Sequence, residues 1–350
     1  MAAELPRRIL IVRLGAIGDV VNALVVANAI RRAEPSVFIG WAAHPLAAPI
    51  VTGHSAVDRV HTWTRGGGLS ELRRLTAELR DTRYDLAIDL QRIAKSAFLA
   101  RSSRAPRVLG FDRARTKEAS FLLTRERVAP ADRGAHMVDQ YLEFARHLGL
   151  NDARAELSLP RDPAAVQWAA EHVRAHGAPL LLNLGASKPP KLWPAERFGE
   201  LALAIERELD VPVAFTGSKH DTQLAARALE RARAIDPTCG AAWIDLTGKT
   251  TLLQLAELQR RSLAVVTCDT GPMHIAVACG ARVIALFGPG EPRRTGPYGQ
   301  LDGCVRRHRD GTPAGLEQDR DLRTQDIEVE HVLERLRPWF AARTEARASS

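Results

Sequence analysis

The sequence predicts an α/β protein built from two doubly wound parallel sheets, one in each half of the chain. Three observations carry that prediction. Short apolar, β-rich runs alternate with segments of helical apolar spacing. The alternation occurs twice, as a recurrence of architecture without a sequence repeat. And 350 residues are enough chain for two domains with separate cores.

Taken in order, "RILIVRL", "VFIGWAA", "VDRVHTW" and "YDLAIDL" are the strands of the first half, and the apolar spacing predicts helices over 20–33, 69–81 and 135–149. Residues 110–134 are polar, charged and irregular, and read as a long loop on the open side of the sheet. The segment 151–179, which holds "LSLPRDPAA", reads as the linker, so the domains run over 1–165 and 166–325. In the second half "PLLLNLG", "VPVAFTG", "AAWIDLTG", "LAVVTCDTG" and "RVIALFGPG" are strands, with helices at about 195–209, 221–234, 251–261 and 272–279. "TLLQ" at 251–254 is a capping box, and Gly280 is placed to end the helix before it. An amphipathic last helix, "IEVEHVLERLRPWF", covers about 326–345 and is expected to pack back toward the first domain.

Composition narrows the function classes. No stretch approaches the ~18 apolar residues of a membrane-spanning helix, and "ILIVRL" is too short for a signal peptide, so a cytoplasmic protein is expected. Cys239, Cys268, Cys279 and Cys304 lack metal-ligand or paired spacing and read as reduced, mostly buried residues. The net charge of +8 favours an acidic partner, but only six of the 49 basic residues are lysine, which points to coding bias as well as a basic surface. No block of five like charges occurs and aromatics are scarce, so no nucleic-acid partner is expected.

Ligands of open parallel sheets bind at the carboxyl ends of the strands, so two such domains facing each other enclose a cleft lined by strand-to-helix loops. The densest of these loops is "CDTGPMHIAVACG". Asp269 or Thr270 can cap its helix, Gly271 lets a backbone N–H approach an anion, and His274 lies one turn up. The plainer alternative is a well-capped structural helix. "GASKPPKLWP" offers Ser187, Lys188 and Lys191 in a turn suited to neutralising a diphosphate, or else is a solvated loop. "TGKT" at 247–250 is no phosphate loop, because Trp243 stands where the required glycine would be. "DRD" at 319–321 resembles an acidic metal-holding pair but sits in a charged stretch with no strand before it. "RLGAIGDVV", after the first strand, lacks the dinucleotide fingerprint and puts a carboxylate, Asp19, at the helix mouth. Alone, Asp19 is a first-turn acid worth about 0.3–1 kcal/mol to the helix. Opposite a phosphate cradle, it is placed to act as a general base.

Together these residues resemble the ADP-heptose:lipopolysaccharide heptosyltransferases, which have the GT-B architecture. The resemblance spans nearly the whole chain, through "ILIVRLGAIGDVV", "DLQRIAKSAFLA", "GFDRARTKEAS", "HMVDQYL", "KLWPAERF", "CDTGPMHIAVACGARVIALFGPGEP" and "TGPYG". It rests on the combination of the Gly-Asp loop, the Lys-x-Trp-Pro turn and the Asp-Thr-Gly-x-x-His loop. The resemblance implies an inverting enzyme without a metal or other cofactor, in which Asp19 is the base. It further implies an ADP-sugar on the C-terminal domain, with Lys191, Thr270 and Gly271 at the diphosphate and Ser187, Asp269 and His274 close by. Asp221 would meet the ribose, and Thr250 would lie near the adenine. Gln91, Lys95, Lys117 and Arg65 match the acceptor side. The chain departs from the family pattern at Gly15 and Ala16, where serines are frequent, at Arg92, where glycine is, and at Lys117, where arginine is.

The expected activity is transfer of heptose from ADP-heptose to an acidic inner-core glycolipid, with transient contact at the inner membrane surface. Transfer of another nucleotide sugar, another acceptor, or a non-catalytic nucleotide-sugar-binding module are the alternatives.

Overall fold

The computed structural model describes residues 5–64, 66–186 and 188–348. The chain divides into two compact units, Met1–Asp162 and Pro163–Ser350. Each unit is a six-stranded sheet in which every paired strand is parallel.

The first sheet comprises β1 (Arg8–Val12), β2 (Phe38–Ala43), β3 (Arg59–Thr62), β4 (Leu86–Asp89), β5 (Arg107–Phe111) and β6 (Glu126–Val128), in the order β3-β2-β1-β4-β5-β6. β1 lies at the centre, with Ile9 opposite both Ile39 and Leu86. "RILIV" is buried from Ile9 onward, as a strand covered on both faces must be. The edge strands "RVHT" and "ERV" place Arg59 and Arg127 in solvent. Helix α1 (Ile17–Ala33) is buried continuously from Val20 to Ile30, and it packs against α4 (Met137–His147). Helix α2 (Gly68–Asp81) covers the edge near β3, and α3 (Ala94–Ser102) follows β4. α3 gave no sequence signal, because its buried residues, Ser96, Ala97, Leu99 and Ala100, are mostly small and make no wide apolar stripe.

The expected loop over 110–134 is more ordered than its composition implied. It contains the end of β5, two short 3-10 turns and β6. The buried Arg115 organises it, donating to Asp112 at 2.5 Å, to Glu143 of α4 at 2.5 Å and to the Val128 carbonyl at 2.9 Å. Charges that read as solvated are here partnered in the interior.

In the second unit β7 (Leu180–Asn183), β8 (Val213–Thr216), β9 (Ile244–Asp245), β10 (Ala264–Cys268), β11 (Val283–Leu286) and β12 (Cys304–Val305) form the order β12-β11-β10-β7-β8-β9. The helices are α5 (Pro163–His176), α6 (Ala195–Ala204), α7 (Thr222–Ile235), α8 (Leu252–Arg261), α9 (Gly271–Ala278), a short α10 (Pro292–Thr295) and α11 (Val329–Ala348). α5 corrects the reading of 151–179 as linker. It begins on Pro163, a favoured first helical residue, and packs on α8, so the boundary expected at 165 falls inside it. α6 runs on into a π-helical turn, Ile205–Leu209. A Cβ on Gly199 would lie 1.9 Å from the Ala228 carbonyl oxygen, so only glycine permits the close crossing of α6 and α7. The Thr251–Gln254 capping box forms, and Gly280 follows α9 at φ +73°. The last helix differs from expectation: its principal packing is on α6, the π turn and β11, with Val332, Leu333, Leu336 and Phe340 in the second unit's own core. Those apolar residues share one buried cluster with Phe198, Leu201 and Ala202 of α6 and Ile284 and Leu286 of β11.

Candidate active site

In the second sheet the chain order reverses between β7 and β10, and open α/β sheets bind ligands at such a crevice. The loops leaving these two strands meet there. Lys191, in a 3-10 turn after β7, forms an ion pair with Asp269, which follows β10. The Asp269 carboxylate is 9% exposed and the Lys191 ammonium 27%, so the cation is the member presented to solvent. Thr270 holds the N-cap position of α9, but its side chain makes no capping bond, so the expectation that Asp269 or Thr270 caps this helix is not met. Asp269 is committed to Lys191, and a half-buried Gly271 opens the helix with uncapped N–H groups. His274 is buried in α9 rather than at its rim.

Neighbouring loops crowd the same crevice. Asp221 accepts from the Ser218 backbone N–H at 2.6 Å and its hydroxyl at 2.7 Å in a capping box. A Cβ on Gly185 would lie 2.4 Å from Asp221 Oδ2, so the β7 and β8 loops touch at a glycine. Thr250 is half-buried just before α8. Trp193 is fully buried and donates to the Ile327 carbonyl at 2.8 Å, and Thr324 donates to the Pro190 carbonyl at 3.2 Å, which braces the Lys191 turn from the C-terminal segment.

The first sheet has its reversal between β1 and β4. Asp19 stands in the first turn of α1, whose N-cap residue, Ala16, supplies no side-chain cap. Its carboxylate is 38% exposed and pairs with Arg13, whose side chain is 5% exposed. Across the reversal, Asp89 ends β4 and accepts from the Gln91 N–H at 3.0 Å, while Gln91 Oε1 accepts from the Leu14 N–H at 2.7 Å. Burial pushes the Asp89 carboxyl up to about 6, against hydrogen bonds from Gln91 and Ser96 and the charge of Arg13. A cavity of about 490 Å³ opens beside this loop, lined by residues including Leu14, Ile17, Leu46, Trp63, Gln91 and Lys95. The Lys95 ammonium sits 4.9 Å from the centre of the Trp63 ring.

A family model described as glycosyltransferase family 9 (heptosyltransferase) matches residues 72–323. The chain belongs to this family. It is 27% identical over 302 residues to the lipopolysaccharide core heptosyltransferase OpsX of Haemophilus influenzae, covering 86% of this chain and 85% of that protein. It is 31% identical over 310 residues to lipopolysaccharide heptosyltransferase 1 of Pseudomonas aeruginosa, covering 84% and 82%. Among solved structures, Escherichia coli ADP-heptose lipopolysaccharide heptosyltransferase II superposes with a TM-score of 0.77 at 23% identity, over 96% of this chain and 99% of that one. The fold is therefore GT-B, and the protein is a glycosyltransferase.

In this family 9 enzyme the expected acceptor-side residues Gln91 and Lys95 line one cavity in the first unit. Gln91 is also a brace for the Asp19 loop, a role its position in the sequence did not reveal. Lys117 is exposed, and its N–H donates to the Arg92 carbonyl at 2.8 Å. Arg92 itself adopts φ +70°, the left-handed conformation that suits the glycine frequent there in the family. Arg65 and Ser187 lie outside the described residues. Lys249 of "TGKT" donates to the Asp245 carbonyl at 2.7 Å, a local contact rather than a phosphate loop. Asp319 accepts from the Asp321 N–H at 2.9 Å within a turn. Among the described residues no three His, Cys, Asp or Glu side chains converge as a metal site would require.

Sequence reasoning missed Arg13, Asp89, Trp63 and Arg306. The buried Arg306 donates to the carbonyls of Gly288 at 3.2 Å, Gly290 at 3.1 Å and Glu317 at 2.8 Å, fixing the β11 loop beside Asp269. A signal existed for Arg13 and Arg306: each follows directly on an apolar strand run, where a solvated arginine is out of place. The four cysteines form no disulfide, and burial lifts the Cys268 and Cys304 thiols to about 12.

Proposed function

We propose that the enzyme moves heptose from ADP-heptose to a Kdo- or heptose-containing inner-core lipopolysaccharide acceptor, by an inverting, metal-independent displacement. The observation that carries this reading is the pair of switch points. One presents the carboxylate of Asp19 and the other the ammonium of Lys191. A transferase of this kind needs a base for the acceptor hydroxyl and a cation for the departing diphosphate. In the proposed step Asp19 takes the hydroxyl proton as the acceptor oxygen bonds to the anomeric carbon. The bond from that carbon to the β-phosphate oxygen breaks on the opposite side, and ADP leaves with the electron pair. Lys191 and the N–H groups at the mouth of α9 take up the charge growing on the diphosphate, the task a metal ion performs in other transferases. Asp221 and Thr250 belong to the nucleoside end, and Lys95 and Lys117 to the acidic acceptor.

The same reading places the enzyme on the cytoplasmic side of the inner membrane, in transient contact with its surface. No helix among the described residues is long and apolar enough to cross a bilayer. Support for surface contact comes from the large exposed apolar side chains: among the described residues, Leu46, Leu69, Phe98 and Leu122 are in the first unit and Ile235 in the second. Arg73, Arg101 and Arg125, each three or four residues after Leu69, Phe98 and Leu122, suit an anionic surface.

The test is to incubate the protein with a panel of ADP- and UDP-sugars and truncated lipopolysaccharide cores, with and without excess chelator, and to weigh the products. A single heptose added from ADP-heptose, undiminished by chelator, is expected. A product from another donor would redirect the substrate assignment, and a strict need for added divalent metal would overturn the metal-free mechanism.

A further inference from the structure

We propose that Arg13 is a positioning residue for the transfer reaction and that Asp89 is the second counter-charge that lets it act, the two together holding Asp19 in place and keeping it able to accept a proton. This rests on the reading of Asp19 as the base.

The geometry begins with the strand pair. Val12 lies opposite Asp89 in the β1–β4 register, so Arg13 leaves β1 beside the end of β4. The Arg13 backbone is fixed on both sides: its N–H donates to the Ala42 carbonyl at 3.2 Å, and its carbonyl accepts from Trp41 Nε1 at 3.1 Å. Its guanidinium is buried and pairs through Nη2 with Asp19. Asp89 is buried too and is anchored by the Gln91 N–H. The titratable and charged groups here are Arg13 directly after β1, Asp19 from α1, Asp89 from β4 and the Tyr141 phenol from α4. Burial works to lower the Arg13 pKa, but the charges of Asp19 and Asp89 and the hydrogen bond to Asp19 favour the guanidinium, and Arg13 stays charged.

The buried guanidinium is thus in contact with Asp19 and, across the β1–β4 register, close enough to Asp89 for its charge to favour that carboxylate; of the two, only Asp19 reaches solvent. If Asp19 were the sole counter-charge, protonating it would strand Arg13 as an unpaired buried charge, which is strongly unfavourable. With Asp89 ionised, Arg13 remains compensated when Asp19 takes the acceptor's proton. Asp89 titrates near 6, so it is ionised at neutral pH and is lost as a counter-charge as the pH falls through that value.

The test compares Arg13→Gln, Arg13→Lys, Asp89→Asn, Asp19→Asn and the Arg13→Gln/Asp19→Asn double variant, with ADP affinity and thermal midpoint measured on each. Arg13→Gln is expected to lower kcat by at least about tenfold, with KM for both substrates and ADP affinity close to the parent, and Arg13→Lys to recover part of the loss. The double variant should be no slower than Asp19→Asn, because Arg13 acts through Asp19. Asp89→Asn keeps the shape and carries the test if Arg13→Gln does not fold. Its kcat should be several-fold below the parent at pH 7.5, and the ratio should close toward one by pH 5, where the parent's Asp89 is itself protonated. The sign for stability is opposite. A carboxyl raised from 3.8 to about 6 on folding penalises the fold increasingly as pH rises between those values and steadily above them. The thermal midpoint of Asp89→Asn at pH 8 should thus equal or exceed the parent's. A structural brace alone would lower the midpoint and leave the kcat ratio flat with pH. Parental kcat in the Arg13 and Asp89 variants, or a kcat ratio constant with pH, overturns the proposal while leaving the base in place. Parental turnover in Asp19→Asn instead removes the base reading, and the proposal with it.

Discussion

In the first unit the ion pair at the switch point buries its cation, Arg13, and leaves the Asp19 carboxylate toward solvent; in the second the ion pair buries its anion, Asp269, and leaves the Lys191 ammonium the more exposed. Both pairs sit where the strand order reverses, at the carboxyl end of a central strand and the start of a helix. The same topology thus presents opposite charges. What decides the sign is which member of each pair the strand end holds. Arginine directly after "RILIV" is locked inside, and its partner in the first turn of α1 is the member that faces out. Aspartate after "AVVTC" is locked inside, so the lysine from the neighbouring loop is what a ligand meets. A helix N-terminus with open N–H groups reinforces the second arrangement toward anions. Beside the first it steadies a carboxylate.

The comparison breaks most sharply at Asp19. Asp19→Asn keeps the shape and removes the basic oxygen, so transfer should fall by at least about a hundredfold, the lower range for a general base. Single-turnover assays with saturating donor check this, and near-parental rates would return Asp19 to a helix-stabilising role. Lys191→Ala comes next. A charge-assisted bond to a diphosphate is worth about 1.5–3 kcal/mol, so donor KM should rise by roughly ten- to a hundredfold. The variant also leaves Asp269 as an unpaired buried charge, so its thermal midpoint should drop. Donor KM within twofold of the parent would take Lys191 out of the pocket.

The smallest effect lies on the acceptor side. Exposed charge contacts are each worth under about 1 kcal/mol, so Lys95→Ala combined with Lys117→Ala should raise the acceptor KM several-fold. The difference should shrink as salt rises and leave donor KM alone. If the double variant handles acidic and dephosphorylated acceptors as the parent does, the acceptor is not recognised through its charge.

Much of this was legible in the chain itself. Periodicity and turn chemistry found the central strands of both sheets but not β5, β6 and β12, and found the Thr251–Gln254 box and the Gly280 helix end, because those signals are local. The Gly-Asp loop, the Lys-x-Trp-Pro turn and the Asp-Thr-Gly loop pointed to the two switch points. What stayed hidden depends on distant partners. Arg115 looked solvated until Asp112 and Glu143 closed around it. Asp89 looked like the polar end of a strand, and only the β1–β4 register sets it beside Arg13. The last helix was amphipathic in sequence, but nothing in its pattern says which core it covers; Trp193, Phe198 and Leu201 receive it. α5 was concealed by Pro163, read as a linker residue although it opens a helix.

The division of labour between the units is tested most directly by titrating ADP calorimetrically into Asp19→Asn and Lys191→Ala side by side. The account predicts parental affinity in Asp19→Asn and at least about tenfold weaker binding in Lys191→Ala. Weakened ADP binding in Asp19→Asn with parental binding in Lys191→Ala would contradict it.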